Sequence, residues 1–115
     1  MGERMKSGVL PGTVDLVILR TVADGPVHGF AISKRLLLRS GGVVHLQDAA
    51  LYQALHRLAR KGLLETEWGL TDSNRRAKFY RLTEEGRRQL EFEESSFRSY
   101  VEGVFRILEP EPVGA

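Results

Sequence analysis

The feature that most constrains this fold is a double change of hydrophobic period within one short chain. Up to residue 61 the apolar positions recur at helical spacing, from Leu64 to Leu82 they alternate, and beyond Thr83 the helical spacing returns. A period of about 3.6 places side chains on one face of a helix, and a period of 2 on one face of a strand. The chain therefore reads as three helices, one hairpin and a final helix.

Leu10-Pro11-Gly12 predicts a turn, and Thr13 an N-cap for a first helix over Thr13 to Ala23. Val14, Leu16, Val17, Ile18, Leu19 and Val22 make that helix apolar nearly all round, the pattern of a central helix covered by its neighbours. Asp24-Gly25-Pro26 stops it. A second helix is expected from His28 to Ser40, with Ile32 and Leu36 facing the core and Lys34, Arg35 and Arg39 mostly facing water. Gly41-Gly42 ends it, and Val43 to Leu46 reads as a single edge strand. Asp48 then offers a cap for a third helix, in which Leu51, Leu55 and Leu58 bury one stripe while Gln53, His56, Arg57 and Arg60 point outward. Lys61-Gly62 closes it.

In the first strand, Leu64 to Leu70, alternation puts Leu64, Thr66 and Trp68 on one face, which assigns Trp68 to the core, and Glu65 and Glu67 on the other. Thr71-Asp72-Ser73-Asn74 forms the turn. Ala77 to Leu82 returns as the second strand and brings Arg75, Arg76 and Lys78 to the hairpin's tip and flank. Thr83 caps the last helix, with Glu84 and Glu85 where the helix dipole favours them. Running to Leu108, this helix spans roughly 40 Å at about 1.5 Å per residue. Leu90, Phe97 and Val104 repeat every seven residues, and Tyr100, Val101, Ile107 and Leu108 join them in an apolar seam that calls for a partner helix.

The order helix, helix, helix, hairpin is that of a winged helix-turn-helix. The expected fold class is mainly α with a small β-hairpin (α+β), a winged helix-turn-helix plus a long C-terminal dimerisation helix. Residues 1–9 are expected to be a flexible N-terminus, 10–82 the winged module, 83–108 the dimerisation helix and 109–115 a disordered tail.

Composition narrows the function. A chain of 115 residues holds one ordinary domain, and 42% hydrophobic with 28% charged residues is the balance of a soluble globular protein. The absence of cysteine excludes disulfides and thiolate metal sites. No secretory signal or membrane span is legible, so the cytoplasm is the expected location. Charge is divided unevenly: residues 1–88 carry 15 Lys/Arg against 9 Asp/Glu, and residues 89–115 carry 2 against 6. Positive potential thus belongs to the winged module, as binding to a polyanion requires.

The third helix fits the major groove in size, and its Gln53, His56, Arg57 and Arg60 can hydrogen-bond base edges; the bland alternative is a solvated helix face. Tyr52 has two readings, a core aromatic or a hydroxyl reaching a phosphate. Arg75 and Arg76 stabilise a hairpin tip little but suit phosphates or a narrow minor groove, and Lys34 and Lys78 extend the basic set. His28, His45 and His56 lack metal-ligand spacing, and no phosphate loop or nucleophile elbow is present, so no catalytic residue, metal or cofactor is expected. Phe92, Phe97, Tyr100 and Phe105 read as interface packing, with a small-molecule cavity between paired helices as the alternative.

These residues resemble the PadR-type transcriptional regulators over about residues 10–108. The resemblance is carried by Leu10-Pro11-Gly12-Thr13-Val14-Asp15-Leu16, Gly25-Pro26-Val27-His28-Gly29-Phe30, Leu51-Tyr52-Gln53-Ala54-Leu55-His56-Arg57-Leu58, Trp68-Gly69 and Arg75-Arg76-Ala77-Lys78-Phe79-Tyr80-Arg81-Leu82-Thr83, in that order. It implies a homodimer paired through its C-terminal helices that binds a pseudo-palindromic operator in double-stranded DNA, usually as a repressor. It also implies DNA contacts from the helix over Ala50 to Lys61 and the wing over Asn74 to Lys78, and in some relatives release by a small aromatic effector between subunits. Two departures stand out. Ala50-Leu51-Tyr52-Gln53 replaces the family's usual serine followed by Leu-Tyr-Pro, which removes a hydroxyl and adds an amide able to read adenine. The last helix has no tryptophan, so a flat-drug sandwich does not carry over. The alternative function is a winged-helix adaptor that binds an acidic protein without specific DNA binding.

Overall fold

The computed structural model describes Leu10 and residues 12–113; the flexible segment expected over 1–9 and the last two residues of the expected tail lie outside the described residues. Helices α1 (Val14–Val22), α2 (Gly29–Arg39) and α3 (Asp48–Arg60) precede strands β2 (Leu64–Leu70) and β3 (Arg76–Leu82), and α4 (Glu84–Leu108) follows. A short strand β1 (Val27–His28) lies between α1 and α2. The fold is therefore α+β, as the periods require.

The core forms where the three short helices turn their apolar stripes inward. Ile18 and Leu19 from α1, Ile32 from α2, and Leu51, Leu55 and Leu58 from α3 are fully buried. Each such side chain contributes about 1.5–3 kcal/mol on leaving water. Leu64, Tyr80 and Leu82 close the core from the root of the hairpin. α1 is less covered than its composition suggests: Val14, Leu16 and Val17 remain partly exposed on a side that no element of the same protomer seals.

The sheet is antiparallel with order β1-β3-β2. Leu64 pairs with Leu82 at the root, Trp68 with Lys78 farther out, and Leu70 with Arg76 at the end. The edge strand of this sheet is Val27–His28, opposite Tyr80 and Phe79, while the 43–46 link assigned from its β-branched residues forms no strand and only a single bridge residue at Val44. Two residues after a proline are too few to display alternation, whereas the link is drawn in by burial of Leu46 and by the Val44 N–H donating to Ser40 Oγ at 2.8 Å.

Two expected caps differ. Gln47 is the residue flanking α3, with Asp48 already inside the first turn, where its charge faces the dipole. Thr13 precedes α1 as expected, but its hydroxyl donates back to the Leu10 carbonyl at 2.7 Å. Thr83 does cap α4: its Oγ1 accepts the Gly86 N–H at 2.9 Å and donates to the Gly62 carbonyl at 2.7 Å. The corner after α3 is thereby tied to the start of α4.

Gly86 makes that tie possible. A Cβ there would collide with the Leu63 carbonyl oxygen and come within 2.8 Å of Leu82 Cδ1. One turn later Leu90 is buried in the core, so it anchors α4 to its own module and is not part of the exposed seam to which its heptad position assigned it. Beyond Leu90 the helix projects past α1 and the end of α2 across an open groove, with Phe92, Tyr100, Phe105, Ile107 and Leu108 exposed. The radius of gyration, 17.0 Å, exceeds the about 13 Å of a compact chain of this length because of that projection.

Candidate nucleic-acid interface

α3 presents its outer face as one shallow surface formed by Ala49, Tyr52, Gln53, His56, Arg57 and Arg60. The buried leucines at 51, 55 and 58 fix the roll of the helix, so the remaining positions must face out. Gln53, His56 and Arg60 are exposed, with no side-chain partner in the protomer among the described contacts. Arg57 is different. Its Nη1 and Nη2 donate to Asp15 Oδ2 and Oδ1 at 3.0 and 2.9 Å, a two-pronged pair that ties α3 to α1. Asp15 raises the Arg57 pKa, chiefly through that hydrogen bonding, so the guanidinium stays charged.

Tyr52 is neither buried nor detached, being 47% exposed. Its ring lies over the first turn of α2, where a Cβ on Gly29 would fall 2.5 Å from the phenolic oxygen. Only a glycine leaves room for the ring to lie there. Its hydroxyl sits between the start of α2 and the outer face of α3. Lys34, also exposed, extends its ammonium over the Phe30 ring at 5.7 Å from the centroid, one turn along α2. His28 flanks α2 at its N-terminus and meets Phe79 edge-on at 5.3 Å, and His45 lies exposed in the link before α3. No group of three or more His, Cys, Asp or Glu able to hold a metal occurs among the described residues.

The wing tip is built on Thr71. Its backbone N–H donates to the Arg75 carbonyl at 2.8 Å, and its hydroxyl accepts the Arg75 N–H at 3.1 Å. Asn74 takes a left-handed conformation, φ 62°, which asparagine tolerates better than most residues. The result displays Arg75 at the tip and Arg76 and Lys78 on the returning strand.

Trp68 departs most from expectation. It is 58% exposed and forms no part of the core, because the helices underlie only the root of the hairpin. Past the Thr66–Tyr80 pair nothing covers that face. The indole instead has the Arg76 guanidinium at 4.8 Å from its centroid and the Lys78 ammonium at 5.9 Å. Strand alternation showed the face correctly, and the nearby cations were the available signal that this part of it stays exposed.

A groove of about 660 Å³ opens between α1, the end of α2 and the second half of α4, with Leu16, Val17, Phe97, Val101 and Phe105 among its walls. Phe97, Val101 and Val104 are partly exposed along this side of α4, and Tyr100, Ile107 and Leu108 extend the apolar surface.

A helix of groove-filling size with an outward polar face, flanked by a basic wing on a three-stranded sheet, is the arrangement of a winged helix-turn-helix protein. Residues 18–92 match the Transcriptional regulator PadR-like family, and the chain belongs to that family. A padr family transcriptional regulator of Eggerthella lenta is 31% identical, covering 87% of this chain and 85% of its own, with a TM-score of 0.74. A PadR family transcription regulator of Clostridium difficile is 25% identical over 85% of this chain and 100% of its own, with a TM-score of 0.75. A protein of Lysinibacillus sphaericus designated Uncharacterized protein X is 28% identical over 86 residues, 75% of this chain and 79% of its own length. PadR-like proteins regulate transcription by binding DNA, are generally dimeric, and are not enzymes. No described helix is long and apolar enough to cross a membrane.

Proposed function

We propose that this chain is a homodimeric, operator-binding repressor. The observation that carries the reading is the joint exposure of Gln53, His56 and Arg60 on α3 and of Arg75, Arg76 and Lys78 on the wing. In this reading Gln53, His56 and Arg60 contact base edges, while Tyr52, Lys34 and the wing cations hold phosphates. Arg57 acts by fixing α3 against α1. Two symmetric modules place their recognition helices about 34–36 Å apart, in successive major grooves, which a pseudo-palindromic operator matches.

The exposed seam of Phe97, Tyr100, Val101, Val104, Ile107 and Leu108 supports pairing through α4, since an isolated apolar helix face of this extent would otherwise meet water. Leu90 supports the seam only indirectly, by anchoring α4 to its module. The groove beside Phe97 and Phe105 is where a small aromatic effector would bind, altering the angle between α4 and the module. Residues 10–82 and 83–108 then serve as the DNA-binding and dimerisation units.

The test is fluorescence anisotropy of a labelled duplex from upstream of the chain's own gene, against a scrambled duplex, at two salt concentrations. Preferential binding that weakens steeply with salt is expected. Absence of binding to either duplex at low salt would replace the repressor by the protein-binding adaptor. Sedimentation of wild type and Tyr100→Glu/Ile107→Glu tests the dimer, with a monomeric double variant expected.

A further inference from the structure

Trp68 is the chain's one tryptophan, and burial does not account for it. Lys78 lies directly opposite it in the ladder, and Arg76 lies on the diagonal of the same face. Both cations lie near its ring, and indole is the strongest of the aromatic faces for a cation. The reverse face of the hairpin is organised differently. There Arg81 is held by Glu65 at 2.7 Å and by Glu67 at 3.7 Å.

The two faces use different means of positioning a cation. A carboxylate fixes an arginine but cancels its charge, as at Arg81 and at Arg57. An aromatic face restricts a long cationic side chain while leaving its full charge and most of its N–H donors free. That distinction matters only if the cation has an anion still to meet. The face bearing Trp68 continues the one that packs Leu64, Tyr80 and Leu82 against the helices, so its cations stand on the side of the wing that the helices occupy.

We propose that Trp68 is a positioning residue for DNA binding, an aromatic shelf that holds Arg76 and Lys78 extended and unneutralised beside the recognition helix. The proposal rests on the DNA-binding reading above and deepens it. The guanidinium at 4.8 Å occupies ring surface on which a base would otherwise stack, which favours a shelf over a stacking platform.

The experiment measures duplex affinity against salt for wild type, Trp68→Phe, Trp68→Leu, Arg76→Ala/Lys78→Ala and the triple variant containing Trp68→Leu, with thermal melts as a control for folding. Trp68→Leu is expected to bind about five- to tenfold more weakly, and Trp68→Phe to recover most of that loss. The salt slope of Trp68→Leu should stay near that of wild type, because both cations remain, whereas losing the cations lowers it by about one for each phosphate contact. In the Arg76→Ala/Lys78→Ala background, Trp68→Leu should cost nothing further. Wild-type affinity in Trp68→Leu, or a full loss persisting without the two cations, overturns the shelf while leaving DNA binding intact. A wild-type protein that binds no duplex overturns the DNA-binding reading and the shelf with it.

Discussion

Arg57 and Asp15, 42 residues apart in sequence, meet through two nearly equal hydrogen bonds of 3.0 and 2.9 Å. The pair joins the last turn of α3 to the first turn of α1, so the orientation of the helix proposed to face DNA is set partly by a carboxylate on the central helix. Asp15 is the more enclosed partner, at 23% side-chain exposure against 40% for Arg57. Asp15→Asn and Arg57→Gln should each lower stability by about 1 kcal/mol, with a coupling of similar size in a double-mutant cycle. Urea denaturation supplies the free energies, and additive losses would show that the pair is merely adjacent. Raising the salt to 1 M should shrink the coupling.

Gly29→Ala should disturb Tyr52 more than the fold. The new Cβ meets the far end of a half-exposed ring, which can swing outward, and replacing a helical glycine gains up to about 1 kcal/mol. A melting temperature near that of wild type is expected, together with an operator affinity reduced as far as in Tyr52→Ala. Wild-type affinity in Gly29→Ala, with Tyr52 shown by NMR to have moved, would remove Tyr52 from the interface.

Gly86→Ala presents the opposite case, since the obstacle is the Leu63 backbone carbonyl and cannot rotate away. A loss of about 3 kcal/mol or more is expected from this single methyl. Thr83→Ala should cost about 1–2 kcal/mol by removing the cap and the bond to the Gly62 carbonyl, and Thr83→Ser should restore most of it. Chemical denaturation of the three variants orders these costs; a Gly86→Ala protein as stable as wild type would show that the α3–α4 corner is not rigid.

Tyr80 should make the protein sensitive to alkali. Burial, followed by the proximity of Tyr52, pushes its phenol above the ordinary value of 10.0. The unfolded chain then releases this proton first, so the contribution is intact below about pH 10 and is lost as pH rises towards the folded-state pKa. Tyr80→Phe should flatten stability against pH in that range. An unchanged alkaline slope would assign the sensitivity to other groups.

The basic wing, the capped start of α4 and the outward set Gln53, His56 and Arg60 were legible in the sequence because each depends on neighbours within a turn or a hairpin. Thr83 must precede its helix, and buried leucines at 51, 55 and 58 leave the opposite side of α3 facing out. The same local period misjudged Trp68 and Leu90. Alternation reports which face a residue shares, but burial also requires a second layer opposite that face. The helices end beneath the root of the hairpin, leaving Trp68 uncovered, while the tie at Thr83 and Gly86 brings Leu90 down onto the module.

By itself, then, the sequence determined the order of elements, the basic character of one surface and the family, since these follow from short-range spacing and residue type. Tertiary structure alone decided that Arg57 is held by Asp15, that Tyr52 lies over Gly29, that Val27–His28 completes the sheet and that Trp68 underlies two cations. Each of those joins separate strands or helices, and such a contact exists only once the packed core has fixed the distances between elements.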